Sequence, residues 1–415
     1  MIKKILILIL AFFLVGPPFS YGKVYIEINS ASARKIPMAM EAFTDDELFI
    51  SEVVMDDLAF SGIFNIVSEK GEKGDAPFWL SRGAEVFIKG KIIKEGDMVS
   101  MEAYLIDLSR GKSLLAKRYK GEKKDSRRLA HHFADDVVET LTGEKGLFKT
   151  KIAFVSREGG NKELYLMDYD GKNSRKVTAN GSINLSPRWS PDGKKLLYTS
   201  FQGGRASIYV KGLATFDEKK LIDSEDMNTG GSWSPTGKEI VFSLSRDGDS
   251  DLFLTEYGSG SLRRITSGWG LDVSPEWSPD GEEISFVSDK GGNPNIYVVS
   301  RRGSGLRRIT FDGKYNASPS WSSDGKNIAY SSLQKEGFRI YITDAEGKST
   351  RQLTFGPGDD EEPSFSPDGQ FIVFSSSAKG KKSLSIIRVS DGYVVDLKGT
   401  GAGDMSPSWS PYLNN

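Results

Sequence analysis

The chain of 415 residues has no cysteine and only two histidines, His131 and His132. The first absence excludes disulfides and anchoring through a lipid-modified cysteine, so an apolar core has to hold the fold, which this length allows. The second leaves little for metal or triad chemistry. The two histidines are neighbours on one predicted helix, where adjacent side chains point about 100° apart, so they neither share a metal nor act as paired acid and base. From residue 149 onward there is no His and no Cys, which excludes a zinc site, a Ser-His-Asp triad and histidine-ligated metals there. No G-x-S-x-G elbow, no G-x-x-x-x-G-K-[ST] phosphate loop and no G-x-G-x-x-G fingerprint occurs.

Long apolar runs and one-sided charge are also missing. The one extended run, Ile5–Val15, is too short to span a bilayer and ends at Gly16-Pro17-Pro18. Lys3 and Lys4 precede it and Ser20-Tyr21-Gly22 follows, the layout of a cleaved secretory signal over residues 1–22 with Lys23 as the mature start. Losing Lys3 and Lys4 takes 55 Lys and Arg to 53, against 56 Asp and Glu, a net charge of −3. That balance argues against nucleic acid as the main partner. Pairs such as Lys123-Lys124 and Arg127-Arg128 are flanked by acids and read as solvated surface.

What is present is a repeat. Trp189, Trp233, Trp277, Trp321, Phe365 and Trp409 stand 44 residues apart, inside SPRWSPDG, GGSWSPTG, SPEWSPDG, SPSWSSDG, EPSFSPDG and SPSWSPYL. Six copies of this size point to an all-β, six-bladed β-propeller over residues 149–415. Each unit predicts four short antiparallel strands, A to D. Strand A carries the marker aromatic. An Asp-Gly turn follows, a dipeptide that tolerates the positive φ of a tight hairpin. Strand B carries Tyr198, Phe242, Phe286, Tyr330 and Phe374, with Phe154 as the sixth member at the front of the domain. Strand C carries Tyr165, Tyr209, Phe253, Tyr297 and Tyr341, with Ser385 in the sixth copy, and strand D carries Val177, Leu221, Ile265, Ile309, Leu353 and Leu397. These columns are expected to be core. The phase is informative. The chain enters at a strand B, Lys151–Ser156, and leaves at a strand A, Met405–Ser410. One blade is therefore built from both ends of the domain, which closes the ring and removes edge strands.

Residues 23–148 lack the repeat and predict an α/β domain. Val24–Asn29 alternates like a strand. Thr44 and Glu47 form a capping box for a helix through about Phe60, stopping near Gly62. Strands are expected at Glu85–Ile93, Val99–Leu108 and Ser113–Tyr119. A last helix runs from about Ser126 to Leu141 with the stripe Leu129, Phe133, Val137, Leu141 and a stop at Gly143. The short link 144–150 favours fixed docking of the two domains.

One column carries a functional expectation. Five residues before each marker stands Asn184, Asn228, Asp272, Asn316, Asp360 or Asp404. Closure would set them as a ring near one channel mouth. Asx side chains commonly shape turns; alternatively such a ring meets a protein partner or a cation. Its oxygens suit Ca²⁺, with Asp272, Asp360 and Asp404 as the candidate ligands. No other cofactor is expected. The alternating acids Asp247-Gly248-Asp249-Ser250-Asp251 lack the Gly and Glu of a helix-loop-helix calcium site and read as a solvated loop. An oligosaccharide enzyme or binding protein is the competing reading. It would place exposed Trp or Tyr rings at the mouth, where buried rings and an Asx-rich rim are expected instead.

Taken together, these features resemble the TolB family, the periplasmic component of the Tol–Pal system of Gram-negative envelopes. The resemblance rests on the signal sequence, the order of the two domains and the SPxWSPDG repeats. It also rests on the junction Leu141-Thr142-Gly143-Glu144-Lys145-Gly146-Leu147-Phe148-Lys149-Thr150-Lys151-Ile152-Ala153-Phe154 and the ending Trp409-Ser410-Pro411-Tyr412-Leu413. It implies a non-enzymatic periplasmic scaffold that supports outer-membrane integrity and constriction at division. It implies that the Pal lipoprotein binds at the mouth carrying the six Asx residues. It further implies that TolA binds an N-terminal arm, about Lys23–Arg34, represented by Lys23, Val24, Tyr25, Ile26, Glu27 and Ile28. Two departures stand out: Gly231 and Thr236 replace Pro and Asp in the second repeat.

Overall fold

A computed structural model describes residues 34–413 apart from 70, 223–225 and 247. The signal segment, the arm Lys23–Ile28 and the strand expected at Val24–Asn29 lie outside the described residues.

The N-terminal domain is a mixed sheet of five strands: β1 Ile36–Met40, β2 Phe64–Ile66, β3 Val86–Glu95, β4 Met98–Asp107 and β5 Lys112–Glu122, in the order β2-β1-β3-β4-β5. β1 pairs in parallel with both β2 and β3, and β3-β4-β5 is an antiparallel meander. Helices α1 (Ile50–Ser61) and α3 (Ser126–Thr142) pack against the sheet, and a short helix, α2, spans Ala76–Ser81. The three expected strands and the last helix are present. The first helix is corrected: it begins at Ile50, not near Thr44. Asp46, not Thr44, supplies the cap, its carboxylate accepting from the backbone N–H groups of Ile50 and Ser51 at 2.9 and 2.7 Å. Thr44 instead bridges to β3. Strands β1 and β2 and helix α2 went unrecognised because each is short and its apolar residues show no period.

The propeller has six four-stranded sheets. Blade 1 is the closing blade, ordered Met405–Trp409, Lys151–Glu158, Asn161–Asp168, Arg175–Lys176, so the first and last strands of the domain pair as the repeat phase requires. The inner strands of blades 2 to 6 start at Asn184, Met227, Asp272, Asn316 and Asp360. The marker aromatics and strand-B aromatics are all buried. The strand-C rings are mostly half-buried and lie beside their strand-B partners, for example Tyr198 and Tyr209 at 6.0 Å between centroids. The threonine after the strand-D residue has a clear use. Its hydroxyl accepts the strand-C backbone N–H at Leu164, Leu252, Ile296 and Ile340, at 2.9 Å each. That satisfies an inner donor where strand D is only two or three residues long.

Every strand A carries a bulge at the same place. Ser186, Ser274, Ser318, Glu362 and Ser406 have φ between 49° and 57°, and Gly230 fills the sixth position at 50°. The register against strand B shifts there in all six blades. A serine tolerates this conformation less readily than glycine. The surrounding sheet imposes it six times.

The two domains share one core. A single apolar cluster runs from Leu58, Phe133 and Phe148 into Ile152, Tyr169, Phe371, Leu397 and Trp409. Phe60 stacks on Phe371 with centroids 4.6 Å apart. Gly62 ends α1 at φ 74°, and Arg388 lies so close that a Cβ there would sit 2.6 Å from its guanidinium carbon. Arg388 Nη2 donates to the Phe60 carbonyl at 2.8 Å. Docking therefore uses the propeller end that carries the A–B and C–D turns. The D-to-A and B–C loops form the opposite face.

Candidate functional site: the loop face of the propeller

All six Asx side chains sit at the start of strand A, between 0 % and 5 % exposed. Their bonding differs by blade. Asn184 Nδ2 donates to the Lys162 carbonyl and to Asn180 Oδ1, both at 2.9 Å, and to Glu163 Oε2 at 3.1 Å. Asn228 Oδ1 accepts from Ile208 N at 2.8 Å. Asn316 Nδ2 donates to Asn295 Oδ1 at 2.9 Å and to the Asp312 carbonyl at 2.7 Å. Asp272 pairs with Lys290 Nζ at 2.7 Å. Asp404 accepts from Thr400 N at 2.9 Å, and the hydroxyls of Ser376 and Thr354 serve Asp360. The ring therefore shapes the D-to-A loops from beneath. Most of its polar atoms bond to neighbouring loops and strands, while Asp272 Oδ1 and Asn316 Oδ1 are buried without a hydrogen-bond partner. Among the described residues, no group of three or more His, Cys, Asp or Glu is placed to hold a metal ion.

A second polar column lies beside it and was not singled out from the sequence: Glu163, Ser207, Asp251, Asn295, Arg339 and Ser383, again one per repeat. Asp251 corrects the reading of its loop as solvated, since it is 6 % exposed and paired with Arg264. Burial raises its carboxyl above the ordinary range, the Arg264 guanidinium opposes this and the charge of Asp272 adds to it. Arg339 Nη1 donates to the carbonyls of Phe338 and Gly358, both at 2.6 Å, and Nη2 to those of Glu336 and Gly356. One guanidinium thus fixes the loop 353–359.

The face these columns support also carries large apolar side chains at its surface. Trp269 is 89 % exposed, Phe355 74 % and Phe311 65 %, with Leu271, Met227, Tyr315 and Ile183 partly exposed beside them. All seven lie on D-to-A loops or at the start of a strand A. This overturns the expectation of buried rings at the mouth. The repeat columns are core, but these rings lie outside the columns. The signal was available. Seven tryptophans occur, five of them repeat markers, and of the other two Trp269 sits between two glycines. Gly268 and Gly270 have φ of 107° and 105°, so the loop turns sharply on both sides of the indole. The loop is held at Leu271, whose N–H donates to Asp289 Oδ1 at 2.7 Å.

The same face has a basic side. Lys381 is exposed on the B–C loop of blade 6, next to the closing blade, and Arg157 is exposed on that blade. Lys381 Nζ reaches the Gly401 carbonyl, which ties its loop to the one entering the closing blade.

Residues 138–413 match the TolB beta propeller domain and residues 24–114 the TolB amino-terminal domain. The chain is 38 % identical over 190 residues to the Tol-Pal system protein TolB of Geobacter sulfurreducens, covering 42 % of this chain and 44 % of that one. It is 35 % identical over 218 residues to the protein of that name in Desulfosudis oleivorans, covering 47 % and 50 %. These alignments span half or less of the relatives' length. The crystal structure of TolB from Acinetobacter baumannii superposes with a TM-score of 0.82 at 28 % identity, covering 94 % of this chain and all of that one. With both domain models matched in order, and the propeller model alone spanning most of the chain, the chain belongs to the TolB family.

Proposed function

We propose that the chain is a non-enzymatic periplasmic scaffold of the Tol–Pal system that binds the peptidoglycan-associated lipoprotein Pal on the loop face of its propeller. Its role there is to support outer-membrane integrity and envelope constriction during cell division. The observation that carries this reading is the exposed apolar loop face, at the propeller end away from the domain junction. An exposed patch of this kind marks a protein interface or a ligand groove. The residues Asn184, Asn228, Asp272, Asn316, Asp360 and Asp404 serve the interface by holding its loops in shape. TolA is the second partner, engaged by the arm Lys23, Val24, Tyr25, Ile26, Glu27 and Ile28. Its alternation suits strand addition to a partner sheet.

The test is a calorimetric titration of residues 23–415 with the soluble domain of Pal from the same organism. A stoichiometric complex supports the reading, and no heat at high micromolar concentration sinks it. Deleting residues 23–33 is expected to abolish TolA binding and leave Pal binding intact. An oligosaccharide reading draws on the exposed Trp269 and Tyr315. It is favoured only if glycan fragments bind where Pal does not.

A further inference from the structure

A six-fold face cannot by itself orient a partner that lacks six-fold symmetry. Six equivalent poses would compete, so one pose requires that the loops differ. They differ in a systematic way. At the position of Trp269 the other loops carry Gly181, Glu225, Gly313, Pro357 and Gly401. At the position of Phe311 and Phe355 they carry Ala179, Asp223, Ser267 and Gly399. The three large exposed rings thus fall on three consecutive loops, those leading into blades 4, 5 and 6. The next sector, around the closing blade, replaces rings with glycines and adds Lys381 and Arg157. The apolar sector is also firmly mounted. Arg339 pins the Phe355 loop through carbonyls, and Asp289 pins the Trp269 loop through the Leu271 N–H. Rigid aromatic side chains lose little conformational freedom on binding and supply most of the energy at interface hot spots.

We infer that this face is polarised and binds its partner in one orientation. Trp269, Phe311 and Phe355 seat in an apolar depression of the partner, and Lys381 and Arg157 lie against an acidic border of that depression. The inference rests on the reading that the partner is the globular domain of Pal. Trp269 is the principal anchor, because it is the most exposed ring and its own loop leaves it almost wholly uncovered. The basic sector acts on encounter rate and orientation more than on residence time.

The full mature chain is titrated with the soluble domain of Pal at two salt concentrations. Trp269→Ala is expected to weaken binding on the order of thirtyfold, with Trp269→Phe recovering part of it. The double substitution Lys381→Glu and Arg157→Glu is expected to slow association and reduce its salt dependence. Ile183→Ala, outside the aromatic sector, changes affinity less than about threefold. These side chains are exposed, so folding is preserved, and an unchanged melting curve verifies it. Orientation has its own readout, because the chain has no cysteine. Cross-linkers attached through Trp269→Cys and, separately, Lys381→Cys are expected to capture two different patches of Pal. If wild-type protein binds but Trp269→Ala binds equally well, or both cross-linkers capture the same patches, the polarised pose is wrong and the Pal reading stands. If wild-type protein does not bind Pal, both fall.

Discussion

Tyr169 of the propeller donates its hydroxyl proton to the carboxylate of Asp57 on α1, and the same carboxylate faces His131 Nδ1 of α3 at 2.7 Å. All three side chains are buried. One carboxylate thus joins two helices of the N-terminal domain to a blade turn. Asp170, paired with Arg127 of α3, stands at its edge. Tyr169→Phe keeps the ring against Phe60 and Phe148 but removes one donor from a buried carboxylate. A loss of about 2 kcal/mol is expected in urea unfolding, the size of a hydrogen bond to a charged group. A variant as stable as wild type would show that the hydroxyl contributes nothing to docking.

The same cluster has a pH signature. Burial opposes the imidazolium of His131, but the facing Asp57 carboxylate outweighs it and lifts His131 above its ordinary 6.5. A raised histidine adds stability that is fully present below pH 6.5 and is lost as pH climbs through the raised value. His131→Asn keeps a donor toward Asp57 and removes the titration. The stability difference between wild type and this variant is therefore expected to shrink from pH 6 to pH 8, and a difference independent of pH would refute the assignment.

Asp135 poses the opposite case. It lies on α3, accepts from Phe148 N at 2.8 Å and holds the interdomain link. Burial pushes its carboxyl up to about 6, against smaller opposing pulls from the Phe148 N–H and Lys149. The native state then holds a proton that the unfolded chain releases from about pH 4, so this group lowers stability as pH rises between about 4 and 6. Asp135→Asn retains the acceptor for Phe148 and cannot ionise. It is expected to match wild type near pH 4 and exceed it by about 3 kcal/mol at pH 7. Equal stability of the two proteins at both pH values would argue that Asp135 ionises without penalty.

The residues also show why some of this molecule was readable in advance and some was not. The ring aromatics, the Asp-Gly turns and the closing strand follow from a fixed spacing, because each repeat has the same burial problem and solves it in the same way. Gly62 and Gly143 end α1 and α3 at positive φ, as expected from glycines at helix ends. The Asx column was located by its spacing, but spacing says nothing of burial. The same side chain placed slightly higher would have been solvent-facing. Trp269 and Arg339 were missed for the reverse reason. Each occurs once, so a search for recurrence passes over it, and exceptions to a repeat are where one-sided binding surfaces arise.

Asp272 is another such exception. In two other blades an amide at this position donates to an acceptor in the second column, Asn184 to Glu163 and Asn316 to Asn295. Blade 4 instead sets Asp272 near Asp251. Each carboxylate has one buried oxygen without a hydrogen-bond partner, and the charge of Asp272 raises Asp251. Asp272→Asn is expected to relieve that repulsion and furnish a donor, at the expense of the contact with Lys290. A net gain of about 1 kcal/mol in unfolding free energy is expected at pH 7. It should fade as pH falls through the raised value of Asp251. A destabilised variant would mean that the Lys290 pair outweighs the strain between the carboxylates.

Ring closure is the largest effect to test. Met405–Trp409 is the inner strand of blade 1, and it joins elements far apart in the chain. Trp409 Nε1 donates to Thr150 Oγ1 at 2.9 Å, and the Trp409 ring lies 6.4 Å from Phe371 in the core shared by both domains. Glu362 of blade 6 accepts from Ser406 N at 2.8 Å and Ser406 Oγ at 2.7 Å, which fastens blade 6 to blade 1. Removing residues 405–415 would strip blade 1 of its inner strand and leave Lys151–Glu158 as an unpaired edge beside blade 6. Exposed edges of this kind pair with other chains. The truncated protein is expected to elute as oligomers in size-exclusion chromatography and to lose its cooperative unfolding transition. Glu362→Gln retains the shape and weakens only the fastening, so it is expected to remain monomeric with a modestly lower urea midpoint. A monomeric truncation with a wild-type midpoint would show that the last strand trims the blade and does not close the ring.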